Sequence, residues 1–214
     1  MSDPATDPVT GPAPDITGLV QRALARRDAG DLAGAVVALE QARTVADRLT
    51  AEDEDRAGVL LAEGALAQDQ GDIAAAEAAY RRAAQITASA HSAPGRRVRV
   101  RVRASAALGS LCRVQGRYAE AETALRAALA LAEADLGSNS LEVVTVLNEL
   151  GITFKYSGKF NEAERLYRRA LAIVTDTLGA NHGATASIYH NLGGLAHARG
   201  DYTTAEPLAR RAVD

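Results

Sequence analysis

"GKFNEAERLYRRA", residues 158–170, decides the fold, because four other segments lie over it without a gap. They are "GDLAGAVVALEQA" from Gly30, "GDIAAAEAAYRRA" from Gly71, "GRYAEAETALRAA" from Gly116 and "GDYTTAEPLARRA" from Gly200. The opening glycines stand 41, 45, 42 and 42 residues apart. A period of that length marks a unit that cannot bury its apolar face alone and does so by stacking on its neighbour.

Each column of the alignment has a physical reading. The opening glycine ends one helix, where a left-handed residue costs little only without a Cβ. Two residues on, Leu32, Ile73, Tyr118, Phe160 or Tyr202 is an apolar anchor at the start of the next helix. Ala35, Ala76, Ala121, Ala163 and Ala205 form one small-residue column. Ala42, Ala83, Ala128, Ala170 and Ala212 form a second, and together they predict close helix approach. Seven residues before each turn glycine stands Ala23, Gly64, Gly109, Gly151 or Gly193. A glycine inside a helix costs about 1 kcal/mol relative to alanine, so its recurrence predicts that helix backbones meet there. "NEAE" (161–164) and "TTAE" (203–206) have capping-box spacing, and Pro207 is expected in or just past the first turn of its helix.

These columns resemble the tetratricopeptide repeat, an antiparallel helix pair that stacks into a superhelix. "LGSNSLEVVTVLNELGITFKYSGKFNEAERLYRRALAI" and "LGANHGATASIYHNLGGLAHARGDYTTAEPLARRA" resemble its longer, kinesin-light-chain type, also common in bacterial proteins. The resemblance implies an all-α solenoid of five helix pairs over residues 15–214, with repeats near 15–50, 51–90, 95–136, 139–178 and 182–214. It also implies a concave groove lined by the first helix of each pair. Three residues before each turn glycine, that groove would present Arg27, Gln68, Arg113, Lys155 and His197. Ten before, Asn148 and His190 follow three apolar positions, and Tyr156 and Arg103 belong to the same surface. Such a groove, apolar first and then polar and weakly basic, suits a peptide or partner segment carrying carboxylates.

Composition narrows the alternatives. The 214 residues are 47% hydrophobic but only 4% aromatic and lack Trp, which suits closely packed helices of Ala, Leu and Val. A formal net charge of -3 argues against a dedicated nucleic-acid binder. The first fourteen residues, "MSDPATDPVTGPAP", carry four prolines and no apolar run, so a disordered leader is expected rather than a signal peptide. No apolar run approaches a membrane span, and the expected location is cytoplasmic. One cysteine, Cys112, excludes an internal disulfide, and its mid-helix position predicts a small buried hydrophobe. His190 and His197 stand about 10 Å apart along a helix, too far to share a metal unaided. With no HExxH, nucleophile elbow or phosphate-binding loop, the expectation is a non-catalytic chain without metal or cofactor.

"GRRVRVRVRASAAL" (95–108) alternates like a strand, and Arg96–Arg103 invites a nucleic-acid reading. In the repeat register it instead feeds the first helix of the third repeat. As a helix it puts Val98, Val102 and Ala106 on one face and Arg96, Arg99 and Arg103 on another. Glu52, Asp53, Glu54 and Asp55 offer a counter-cluster from the preceding repeat. Arg81, Arg126, Arg168 and Arg210 form a further basic column, expected on the outer surface. The chain stops at "LARRAVD", which predicts either a longer array or self-association through the last helix pair. The leading expectation is a scaffold or adaptor, and its rivals are a regulatory or sensory segment of a larger assembly and a nucleic-acid binder.

Overall fold

The computed structural model describes residues 15–48, 53–89 and 94–213, and every regular element among them is an α-helix. The helices run in five hairpins. They are α1 (Ile16–Asp28) with α2 (Leu32–Arg48), α3 (Asp53–Asp69) with α4 (Ile73–Ser89), and α5 (Pro94–Val114) with α6 (Tyr118–Leu136). Then come α7 (Leu141–Tyr156) with α8 (Phe160–Leu178) and α9 (Gly183–Ala198) with α10 (Tyr202–Arg211). The expected leader lies outside the described residues.

The turns explain the opening glycines. Gly30, Gly71, Gly116, Gly158 and Gly200 all have φ between +76° and +79°. The next residue's N–H donates back to the helix five residues earlier, as Lys159 does to the Phe154 carbonyl at 2.8 Å. Aspartate then caps three of the following helices: Asp31, Asp72 and Asp201 accept from the backbone N–H of Gly34, Ala75 and Thr204. Neither expected capping box forms. The residue before α8 is Lys159, whose side chain makes no cap, and α10 is capped by Asp201. Glu164 and Glu206 reach forward to arginines instead of back to a helix start. Pro207 sits in the second turn of α10, where its ring removes the N–H that Thr203 would have received, so it is not cost-free as expected.

Both alanine columns are buried apart from Ala212, and the glycines seven before each turn are buried too. Their reason differs from the expected meeting of backbones. At Gly64, Gly109 and Gly151 the second helix presses a side chain into the gap. An added Cβ would come within 2.5 Å of Tyr80 Cε1, Leu125 Cγ and Tyr167 Cε1 respectively. Only at Gly193 is backbone the neighbour, with the Ala205 carbonyl and Ala209 N–H each 3.4 Å from such a Cβ. All three knobs stand nine residues after a turn glycine, and Ala209 holds the same place in the last pair. Where the knob is alanine, the helices close up until the backbones touch.

The hairpins stack in order. Each second helix packs on the first helix of the next pair, and each first helix also touches the next first helix. Among the described residues, no second helix touches another. The stack is therefore tight on the first-helix side and open on the other, which makes α1, α3, α5, α7 and α9 the inner surface. A continuous core runs through the later repeats from Val98 and Val102 through Leu147 and Tyr167 to Leu195.

Ion pairs repeat with the same period. Glu77, Glu122, Glu164 and Glu206 receive Arg81, Arg126, Arg168 and Arg210 one helical turn on. The first three also receive a cation from the next hairpin's turn: Arg117 at 3.2 Å, Lys159 at 2.7 Å and Arg199 at 2.5 Å. The outer arginine column is thus a set of exposed intrahelical pairs, worth a few tenths of a kcal/mol each.

Candidate functional site

The arginine run is helical throughout, because α5 starts at Pro94, where proline suits a first helical position. Winding divides the charges. Val98, Val102 and Ala106 are buried against the core, whereas Arg96, Arg99 and Arg103 project together. Arg96 pairs with Asp55 of α3 and donates to Thr17 Oγ1 of α1 at 3.5 Å. Arg99 and Arg103 lean to Glu142 of α7 at 3.4 and 3.8 Å. These carboxylates offset the conflict between cations and the helix N-terminus. Of the expected counter-cluster, Asp55 takes part and Glu54 makes no hydrogen bond, while Glu52 and the Asp53 side chain lie outside the described residues; Glu142, in the following repeat, receives Arg99 and Arg103.

The inner surface has two zones. Toward the N-terminus, α1, α3 and α5 enclose a cleft of about 430 Å³ walled by Val20, Leu24, Leu61 and Val100, with Arg99 and Arg103 beside it. Tyr80 reaches this cleft from α4, past Gly64, and donates its hydroxyl to Gln68 Oε1 at 3.4 Å. Arg27 is held between Asp28 and Asp69 at 2.9 and 3.3 Å. Arg27 and Gln68 are therefore already engaged, each inside the first two hairpins.

Toward the C-terminus the surface is polar. Arg113 and Lys155 both lie 5.8 Å from the centre of the Tyr156 ring, which is 60% exposed. Arg113 donates to Ser110 Oγ at 2.9 Å and sits 3.7 Å from Glu149 Oε2. Burial pushes the Glu149 carboxyl up, and the Arg113 charge opposes that shift without cancelling it. Asn191 Nδ2 donates to Asn148 Oδ1 at 2.7 Å, tying α9 to α7. The Lys155 ammonium extends toward α9, 3.1 Å from where a Cβ on Gly194 would sit, and makes no ion pair among the described residues. His190 is exposed, and His197 stacks edge-on against Tyr202 with 5.2 Å between ring centres.

Sequence reasoning named Arg113, Asn148, Lys155 and Tyr156, which the fold brings to one face, but it missed Asn191 and Glu149. Both stand nine residues before a turn glycine, a column whose partners lie in the neighbouring repeat. Cys112 is buried, and burial raises its thiol above the ordinary value. No helix among the described residues is long and apolar enough to cross a membrane.

The sequence profile of the tetratricopeptide repeat matches residues 102–176 and 157–214. Among solved structures, BtubC of P. vanneervenii is 22% identical, with 92% of this chain and 78% of that chain covered at a TM-score of 0.73. The kinesin-light-chain-like TPR repeats of Podosopora anserina are 20% identical, with 96% of each chain covered at a TM-score of 0.67. A Rap protein complexed with competence and sporulation factor is 16% identical and covers 92% of this chain and 52% of that chain, at a TM-score of 0.77. At these identities the likeness is one of fold. No curated protein matches the chain.

Proposed function

Because this chain belongs to the tetratricopeptide repeat family, a fold that generally serves as a protein-interaction scaffold, we propose that it is a non-catalytic adaptor whose inner surface holds a partner segment. The observation that carries the reading is the Tyr156 ring with Arg113 and Lys155 beside it, about two turns along α7 from the Asn148–Asn191 pair. An exposed aromatic face with two cations and a row of side-chain amides offers stacking, charge and hydrogen bonds to one extended segment. A carboxylate in that segment would meet Lys155, which has no acidic partner of its own among the described residues. His190 and His197 extend the polar stripe along α9.

The similarly folded Rap protein complexed with competence and sporulation factor lends weight to an array that holds a ligand. The arginine run lends little to a nucleic-acid reading, since Arg96, Arg99 and Arg103 already share Asp55 and Glu142. A phosphate-driven complex would also weaken steeply with salt.

The test is affinity capture with wild type, Lys155→Glu and His190→Asp, followed by partner identification. The adaptor reading expects both substitutions to deplete the same partners. Identical partner sets from all three proteins would remove it.

A further inference from the structure

Arg113, Glu149 and the Tyr167 hydroxyl form a cluster under the inner surface whose polar groups are only half satisfied. Arg113 of α5 donates to Ser110 Oγ at 2.9 Å and stops 3.7 Å from Glu149 Oε2, beyond hydrogen-bonding distance. Arg113 Nε, Glu149 Oε2 and the Tyr167 hydroxyl are all closed to solvent and have no partner. Tyr167 comes from α8 through the gap at Gly151; burial first, and the Glu149 charge after it, push its hydroxyl up. Buried polar groups are ordinarily paired, and a charged carboxylate short of donors is far costlier than a neutral carboxylic acid.

The charged form of Glu149 depends on one cation. Burial raises its carboxyl, and Arg113 of α5 is the charge that opposes the shift. Tyr156 of α7 and Tyr167 of α8 are the other titratable groups of the cluster, and neither α6 nor α9 brings a charge to bear on Glu149 among the described residues. Arg113 is also one of the two cations beside the Tyr156 ring. Its side chain is 17% exposed and that of Glu149 21%. A partner carboxylate can therefore meet the open edge of the guanidinium while Glu149 Oε2 stays covered. Two carboxylates at one cation do not both stay charged cheaply, and the more buried of them takes a proton.

We propose that Glu149 is a positioning residue for the inner-surface site: it competes with a carboxylate of the partner segment for Arg113, so that seating the segment loads one proton from solvent onto Glu149. In the free chain the Arg113 charge serves Glu149. In the complex the guanidinium serves the partner, and the protonated Glu149 becomes a hydrogen-bond donor inside the cluster. The sign follows from linkage. A carboxyl that binds its proton more tightly in the complex strengthens binding at low pH, and that gain is lost as pH rises through the value in the complex. A segment without carboxylates loads no proton. The assignment rests on the inner surface being the binding face, and it names the residue that sets the pH dependence of that face.

The test is titration of the full-length, isotope-labelled chain, read by backbone amide shifts and by the side-chain carboxyl signal of Glu149. The probes are acetyl-Glu-Ala-Glu-amide, whose carboxylates stand about 7 Å apart along an extended chain, and its glutamine counterpart, both at millimolar concentration. The glutamate peptide is expected to shift the amides of Lys155, Tyr156 and Gly194 and to raise the Glu149 midpoint by about one pH unit. The glutamine peptide should leave that midpoint in place. From about pH 7 to about pH 5, affinity for the glutamate peptide should rise about tenfold more in wild type than in Glu149→Gln. His190 and His197 are titratable too, but both proteins carry them, so the difference isolates Glu149. The wild-type midpoint decides the matter even if this variant folds poorly. A midpoint unmoved by bound peptide, the same pH dependence in both proteins, or no shifts at these amides would overturn the assignment. If Lys155→Glu still depletes partners while the Glu149 midpoint stays put, only this assignment falls. If neither the capture nor the peptide engages the inner surface, the adaptor reading falls with it.

Discussion

Replacing Gly151 with alanine separates a gap that receives a side chain from one that merely brings backbones close. A methyl at this position would lie 2.5 Å from Tyr167 Cε1 and 2.8 Å from Cδ1 and Cζ. The ring is completely buried, so it cannot swing aside into solvent. Overpacking of a tight core costs about 1–3 kcal/mol, and contacts this short call for the upper end. Alanine returns about 1 kcal/mol of helix propensity, which leaves a net loss of about 2 kcal/mol. Gly193→Ala supplies the contrast. Its methyl meets backbone only at 3.4 Å, an ordinary contact, so propensity should dominate and stability should rise by up to about 1 kcal/mol. Urea unfolding followed by circular dichroism reads both, and amide exchange in α7 and α8 localises the change within the stack. In a Tyr167→Ala background the ring is gone, and Gly151→Ala should turn favourable. The resulting cycle has a coupling energy of about 3 kcal/mol. If Gly151→Ala behaves like Gly193→Ala, or its penalty survives removal of the ring, the account of the glycine column is wrong.

Acid should loosen the stack through the inter-repeat pairs. The hydrogen bond from Lys159 holds the Glu122 carboxyl below its ordinary value of 4.5, and that from Arg199 does the same for Glu164. A carboxyl lowered by folding contributes fully above the unfolded value and loses its contribution as pH falls through the folded one. The urea midpoint should therefore drop on going from about pH 5 to about pH 3, and Glu122→Gln should flatten that drop. An unchanged slope would deny the pair its role. Glu149, raised by burial, works in the opposite sense, so Glu149→Gln should steepen the same drop. Cys112 is buried and its thiol is raised, so a thiol reagent should modify native protein far more slowly than urea-unfolded protein. Equal rates would contradict the packing of α5.

The repeat was legible because a stacked hairpin constrains the same positions each time. The turn glycine, the apolar anchor and the two alanine columns are local demands and recur at fixed offsets. The alternating run at 96–103 was misleading only in isolation, since the register of the other repeats requires a helix there. Contacts between hairpins were harder to read. Glu142 meeting Arg99, Asn191 meeting Asn148 and Arg113 meeting Glu149 each depend on the rotation between successive hairpins, which no single repeat encodes. The knob column was present in the sequence as Tyr80, Leu125 and Tyr167, opposite glycines sixteen residues earlier, and pairing the two columns would have exposed it. The capping boxes failed because Glu164 and Glu206 are drawn forward to arginine, and at α10 Asp201 already supplies the cap.

The most direct trial of the binding face is amide-shift mapping of the labelled chain on addition of a segment from a captured partner. Shifts concentrated on α7 and α9 around Asn148, Lys155, Tyr156 and Asn191, with the outward faces of α6, α8 and α10 silent, are what the account predicts. Shifts concentrated on the outer arginines Arg126, Arg168 and Arg210, with the inner surface silent, would contradict it.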